Sequence, residues 1–245
     1  PKPTFGNYYT ADYESKEEAM KAADAINERI CEEGFTLLKN ADNALPLKKG
    51  AKISVFGKSS ASLLYGLSSN YVDGNRAPGY PMVTLSEALT ESGFALNPSL
   101  VNFYNDSSKS GSGRGAQPTN GNTVKGFNTG ETPVEKYTSD IEESYKDYSD
   151  AALVVFSRSS GEGWDMPQTM MKNNGEIING ARAKDDHYLQ LDKNESDLLK
   201  YLSGRFEKVV IVLNVPSQFE VGFLDDPGHY GFGENLKACI WTGYP

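Results

Sequence analysis

The sequence predicts an α/β fold: a three-layer α/β/α sandwich built on a mostly parallel sheet of about five to six strands. Two observations carry this. Short apolar runs at residues 52–56 (KISVF), 152–156 (ALVVF), 208–213 (KVVIVL) and 236–241 (LKACIW) are bounded by turn residues. Runs of this kind read as strands buried on both faces, which belong to parallel sheets covered by helices. Segments with helical spacing stand between them, so helix and strand alternate along the chain. That alternation is the pattern of a parallel sheet crossed over by helices. No Gly/Pro/Ser linker separates two cores and no repeat of solenoid period occurs, so residues 1–245 read as one domain.

Residues 1–13 are polar and aromatic without a period. Ser15-Lys16-Glu17-Glu18 is a capping box, in which the Ser side chain caps an amide and the Glu reaches back. Ala19, Ala22, Ala23, Ile26 and Ile30 continue at helical spacing, and Gly34 supplies a stop. A short extended run covers 35–40, a turn with two apolar anchors covers 42–47, and the 52–56 strand ends at Gly57. Residues 57–79 are loop-like. They hold no G-x-G-x-x-G or Walker pattern, which removes a phosphate-binding reading. Thr84-Leu85-Ser86-Glu87 is a second capping box, opening a helix that Gly93 ends. Phe94-Ala95-Leu96 is a short strand, and Asn97-Pro98 reads as a turn. Residues 105–130 are the most biased stretch, too poor in apolar side chains to order themselves, and read as a mobile insertion. A short helix starts at Ser139 with Glu142 three residues on, and feeds the 152–156 strand. Residues 166–186 form a long polar loop. Asp192-Lys193-Asn194-Glu195 starts a helix with Leu198, Leu199 and Leu202 inward. Residues 216–224 read as helical or turn-like before the last strand.

Composition narrows the function. With Lys+Arg at 24 against Asp+Glu at 33, the formal charge is −9, which argues against nucleic acid and anionic membrane surfaces as partners. No run approaches the length of a membrane-spanning helix. Cys31 and Cys239 lack metal-ligand spacing and read as buried thiols. His187 and His229 stand near no recognisable Ser or Cys elbow, so a hydrolase triad is not expected. No tight ligand cluster suggests a metal, and no cofactor is expected.

Carboxylates are what the loops offer: Glu162, Asp165, Asp185, Asp186, Asp225 and Asp226. Most read as solvated surface charges. Glu162 differs by position, because it lies between Gly161 and Gly163 just past a buried strand. In open α/β sheets the carboxyl ends of the strands are where ligands bind. Glu162 is therefore the candidate functional residue. A glycosidase needs a second carboxylate across the scissile bond, and nothing in the spacing identifies one.

Three stretches resemble the α/β sandwich domain of family 3 glycoside hydrolases, the β-glucosidases and their relatives. The first is Glu33-Gly34-Phe35-Thr36-Leu37-Leu38-Lys39-Asn40 with Asn43-Ala44-Leu45-Pro46-Leu47. The second is 150–156 followed by Arg158-Ser159-Ser160-Gly161-Glu162-Gly163-Trp164-Asp165. The third joins 208–214 to Ala238-Cys239-Ile240-Trp241-Thr242-Gly243-Tyr244-Pro245. Each is weak alone; together, in this order and across nearly the whole chain, they are specific.

The resemblance implies a general acid/base role for Glu162, reaching across to a separate (β/α) barrel domain that holds an Asp nucleophile. It implies a carbohydrate substrate, and sugar-subsite roles for Trp164, Arg158 and Asp165. For these three the residue types alone favour loop packing or a surface charge. No barrel motif occurs in these residues, so the chain is expected to be the N-terminal sandwich of a longer, domain-reversed enzyme, inactive alone, with the barrel downstream. The alternative is a non-catalytic carbohydrate-binding or structural domain that shapes the mouth of an active site. A flavodoxin-like receiver would need acidic residues at the end of the first strand, where Gly57-Lys58-Ser59 stands instead. Nothing in the sequence decides between a cytoplasmic and an extracytoplasmic or cell-surface location.

Overall fold

A computed structural model describes residues 12–65, 83–114, 129–159 and 186–244. The chain divides into two units, Pro1–Phe35 and Thr36–Pro245.

In the first unit, α1 (Lys16–Gly34) begins where the sequence places it. Ser15 Oγ accepts the N–H of Glu18. The Glu18 carboxylate reaches back one residue further than expected, to the N–H of Glu14 at 2.8 Å. Gly34 is the last helical residue, and the extended Phe35 ends the helix with its N–H on the Cys31 carbonyl. None of the helix's residues is buried: Ile26 and Ile30 are exposed, and Cys31 is half-buried where the sequence suggested a buried thiol.

The second unit is a six-stranded sheet. Its strands are β1 (Thr36–Asn40), β2 (Lys52–Phe56), β3 (Ala95–Leu96), β4 (Ala151–Ser157), β5 (Val209–Asn214) and β6 (Leu236–Trp241). They lie in the order β1-β6-β5-β4-β2-β3. Every neighbouring pair is parallel except β1 with β6. The mostly parallel α/β sheet read from the sequence is therefore present. All seven residues of β4 are buried, as a strand covered on both faces requires.

Covering both faces produces two cores. On one face Phe56, Val154, Phe156, Ile211 and Leu213 pack with Leu100 and Phe103 of α3 (Pro98–Asn105). Ile141 of α5 (Ser139–Ser144) joins the same core, as do Leu198, Leu199 and Leu202 of α6 (Lys193–Ser203). On the other face Ile53, Val55, Leu153, Val210 and Ala238 pack with Ala44, Leu45 and Leu47, and with Leu85 and Leu89 of α2 (Leu85–Glu91). The period-2 alternation sorts each strand's side chains between these cores.

Local chemistry explains where the expectations from sequence were off. Asn97-Pro98 does not turn the chain. Asn97 caps α3 by accepting the N–H of Ser99, and Pro98 opens the helix, where its missing N–H costs nothing. The cap of α5 is Thr138, one residue before the expected Ser139. The 105–130 stretch is ordered at its start: α4 (Ser107–Ser110) is capped by Asp106, and Ser110 is buried. Residues 115–128 of that stretch lie outside the described residues. The 216–224 segment holds a single 3₁₀ turn, Gly222–Leu224, and Pro227–Tyr230 forms a second. Among the described residues no helix is long and apolar enough to cross a membrane.

Candidate functional site at the carboxyl rim of the sheet

The carboxyl ends of β2, β4 and β5 meet in a buried polar layer. At the end of β2, Gly57 adopts φ 90°, and a Cβ there would lie 2.4 Å from the Val155 carbonyl oxygen. Only glycine allows the backbone this close to β4 in that conformation. The chain then turns into the 3₁₀ segment Lys58–Ala61. The Lys58 ammonium is turned inward, 2.6 Å from the Tyr104 carbonyl and 2.8 Å from Ser110 Oγ. Burial pulls its pKa down, opposed by the nearby Glu131 carboxylate.

Glu131 is the carboxylate under that turn. Its Oε1 accepts the N–H of Lys58 at 3.0 Å and of Thr132 at 2.8 Å, and the Lys58 N–H is shared with Oε2 at 3.1 Å. Glu131 is buried, and burial pushes its pKa up to about 8 against those two amides, with Glu195 and Asp192 adding like charge. Asp192 accepts from Thr129 Oγ1 and from the N–H of Glu195, and burial raises its pKa to about 7. Three acids therefore share one low-dielectric layer.

Arg158, directly after β4, is the cation that Glu195 pairs with and Asp192 acts on. It is fully buried. Its Nη1 and Nη2 each lie 2.7 Å from a Glu195 oxygen, a bidentate pair. Nε donates to the Tyr188 carbonyl at 2.5 Å, Nη2 to the Gln190 carbonyl at 2.6 Å, and Nη1 to the Ser157 carbonyl at 2.9 Å. Those bonds use all five guanidinium hydrogens. The guanidinium carbon also lies 4.8 Å from the Phe219 ring centroid and 5.3 Å from that of Tyr188. Burial opposes the charge, and Glu195 more than offsets that, leaving the pKa raised.

Asn214, at the end of β5, stitches the layer together. Its side chain accepts from the Leu64 N–H and from Ser157 Oγ, and donates to the Leu64 and Gly243 carbonyls. Tyr244 OH donates to the Arg158 carbonyl at 2.9 Å. Ser159 Oγ, buried at the same rim, has no partner among the described residues.

Of the residues read from the sequence as site candidates, Arg158 lies in this layer, with its hydrogen-bonding capacity spent inside the chain. Glu162, Trp164 and Asp165 lie outside the described residues, as does Asp185. Asp186 is buried and accepts from Gln190 Nε2, while His187 faces Glu220 at 3.0 Å. Reasoning from sequence missed Glu131 and Lys58 and saw Asp192 and Glu195 only as a helix start. That capping box is real: the Glu195 side chain accepts the Asp192 N–H while pairing with Arg158. Among the described residues no group of three or more His, Cys, Asp or Glu side chains could hold a metal ion.

Comparison with known proteins adds to this geometry. The glycosyl hydrolase family 3 C-terminal domain matches residues 35–245. The chain is 27% identical over 213 residues to a Butyrivibrio fibrisolvens protein named Beta-glucosidase A, covering 81% of this chain and 23% of that protein. It is 27% identical over 220 residues to a Ruminococcus albus Beta-glucosidase, covering 86% and 19%. The chain thus spans less than a quarter of the length of the curated relatives it matches. Among solved structures, beta-glucosidase 3B of Thermotoga neapolitana in complex with glucose superposes with a TM-score of 0.63 at 22% identity, covering 93% of this chain and 28% of that one. A Paenibacillus barengoltzii beta-glucosidase gives 0.58 at 21% identity, covering 90% and 21%. These structures share the fold.

Proposed function

The chain belongs to the glycosyl hydrolase family 3 C-terminal domain family, and from that membership we propose that it is the accessory sandwich of a retaining β-glycosidase acting on O-glycosidic bonds. Glu162 supplies the general acid/base. A barrel domain elsewhere in the full-length protein supplies the Asp nucleophile. One observation carries the reading: the segment bearing Glu162 leaves the sheet at the carboxyl end of its most buried strand, directly after the Arg158-Ser159 rim. That edge is where covered parallel sheets expose their chemistry. The relatives' extra length leaves room for a second domain.

The chemistry fits the division of labour. Retention needs two carboxyl groups about 5–5.5 Å apart, one nucleophilic and one protonated. The acid stays protonated near neutral pH only when partly desolvated, and a second module closing over the rim would do that. An isolated sandwich leaves Glu162 without its partner and is inactive in this reading. In this reading Trp164 and Asp165, two and three residues beyond the acid in sequence, contact the sugar or its aglycone. Arg158 serves the same subsite only indirectly, through the carbonyls it holds.

The test is Glu162→Gln in the full-length protein. Turnover of an aryl β-glucoside should fall by about 10²–10⁴-fold, the usual worth of a general acid or base. Azide should restore part of it with a good leaving group, because it needs no base to attack the glycosyl-enzyme. Unchanged turnover would leave the sandwich a non-catalytic wall of the active site.

A further inference from the structure

The loop between β5 and β6 carries an aromatic ring that the polar layer at the rim does not use. Tyr230 closes the 3₁₀ turn Pro227–Tyr230 and is 43% exposed. Its ring stacks on that of buried Phe232, with centroids 6.0 Å apart and planes 19° from parallel. Phe223, also buried, meets it edge-on at 6.3 Å, and His229 stands beside it at 5.3 Å, nearly perpendicular. The hydroxyl end lies close to Gly222, where a Cβ would be 3.1 Å from the Tyr230 oxygen. The backbone of the turn is fixed as well. Asp226 caps it by accepting the N–H of His229 at 3.1 Å. Gly231, at φ 73°, lets the chain double back, so that the Phe232 N–H reaches the Pro227 carbonyl at 2.9 Å. The loop is tied to the end of α6, which leads into the amino end of β5. The Gly233 N–H donates to Ser203 Oγ at 3.0 Å, and Asn235 Nδ2 donates to the Ser203 carbonyl at 3.0 Å.

We propose that the outer face of Tyr230 is a binding platform for a neutral β-linked glucan chain, away from the carboxyl rim of the sheet. The choice of a glucan rests on the glycosidase reading above, but on none of its catalytic residues. One face of the ring is spent on Phe232, and the other looks outward. A glucopyranose with all its substituents equatorial carries axial C–H bonds on its two flat faces. Those weakly positive hydrogens suit the negative face of an aromatic ring. Area argues against a protein partner, because a stable protein interface takes about 800 Å² from each side, several times what one ring offers. One sugar unit matches one ring. The flanks argue against an anion: Asp225, Asp226 and Glu234 of the same loop are exposed. Carboxylates repel an anion and accept hydrogen bonds from sugar hydroxyls. Gly222, Gly228 and Gly231 are exposed too, and raise no side chain to block a flat chain. Packing holds the ring in place before a ligand arrives, so little freedom is lost on binding.

The test is affinity electrophoresis of the full-length protein in native gels containing hydroxyethyl cellulose, a neutral β-glucan, beside turnover of 4-nitrophenyl β-glucoside by the same samples. The polymer should retard the wild-type protein. Tyr230→Ala should weaken that binding by about 10-fold or more, and Tyr230→Phe, which keeps the ring, by less than about 3-fold. Both variants should keep the wild-type turnover and melting temperature. No retardation of the wild-type protein would overturn the platform, as would equal retardation of Tyr230→Ala, or a loss in Tyr230→Phe as large as that in Tyr230→Ala. If Tyr230→Ala lost turnover along with retardation, the ring would be part of the folded framework and the proposal would fail. Retardation that depends on Tyr230, in a protein that turns over no β-glucoside, would uphold the platform and sink the glycosidase reading.

Discussion

Glu131 is a buried acid whose two amide donors both address Oε1, while Oε2 has only a share of the Lys58 N–H at 3.1 Å. A proton can sit on Oε2 with the stronger bonds kept, so the neutral acid fits the same geometry. Its pKa is raised from 4.5 unfolded to about 8 folded, and that of Asp192 from 3.8 to about 7. The folded state therefore binds protons the unfolded chain has released. The stability these groups contribute is fully present below about pH 4 and is lost as pH rises through 7 to 8. The melting temperature should be higher at pH 5 than at pH 8, and Glu131→Gln should shrink that difference. A pH series of thermal melts on the two proteins reads this directly. Arg158 and Glu195 make a second residue-level case. Glu195→Ala leaves a buried guanidinium unpaired and should cost about 3–5 kcal/mol in urea unfolding, whereas Arg158→Met with Glu195→Leu should cost less than either single change. Neither case was legible in the sequence. Asp192-x-x-Glu195 is legible as a cap because its bonds are local, but the ion pair to Arg158 spans 37 residues of chain. Glu131 sits at the end of a Gly/Ser/Asn-rich stretch, where composition speaks for solvent exposure and only the fold reverses it.

At the level of elements, the strands were the most legible part, because β-branched apolar runs between turn residues have few other places to go. The five runs read as strands appear within a residue or two of their expected positions, and the short extended run at 35–40 proves to be β1. Helix starts were read from capping chemistry, and Thr84-Glu87 and Asp192-Glu195 form complete boxes. Of the helices missed, α3 begins at a dipeptide whose turn and helix-start readings are chemically alike. Asn accepts an amide two residues on in either case, and the residues after Pro98 decide between them. At the joint between β2 and the 3₁₀ segment that follows it, Gly57 leaves no room for a side chain. Gly57→Ala puts a methyl group against the Val155 carbonyl and forces φ 90° on an L-residue. It should lower stability by more than about 2 kcal/mol, seen as a drop in the urea midpoint with an unchanged slope.

For the whole molecule, the antiparallel pairing of β1 with β6 sets Thr36 opposite Trp241. Strand partners lie about 5 Å apart, so the two ends of the sandwich stand side by side. A circular permutant that joins them through a short linker, with new ends opened in the exposed turn at Lys49 and Gly50, should keep the sheet. Its far-ultraviolet circular dichroism should match the parent, and its melting temperature should fall by no more than about 10 °C, since chains with adjacent ends tolerate such rewiring. The same adjacency bears on how the sandwich is wired to other modules. A segment that enters at Thr36 and one that leaves after Trp241 both pass through a single corner of the sheet, so a covalent connection made on either side meets the same edge.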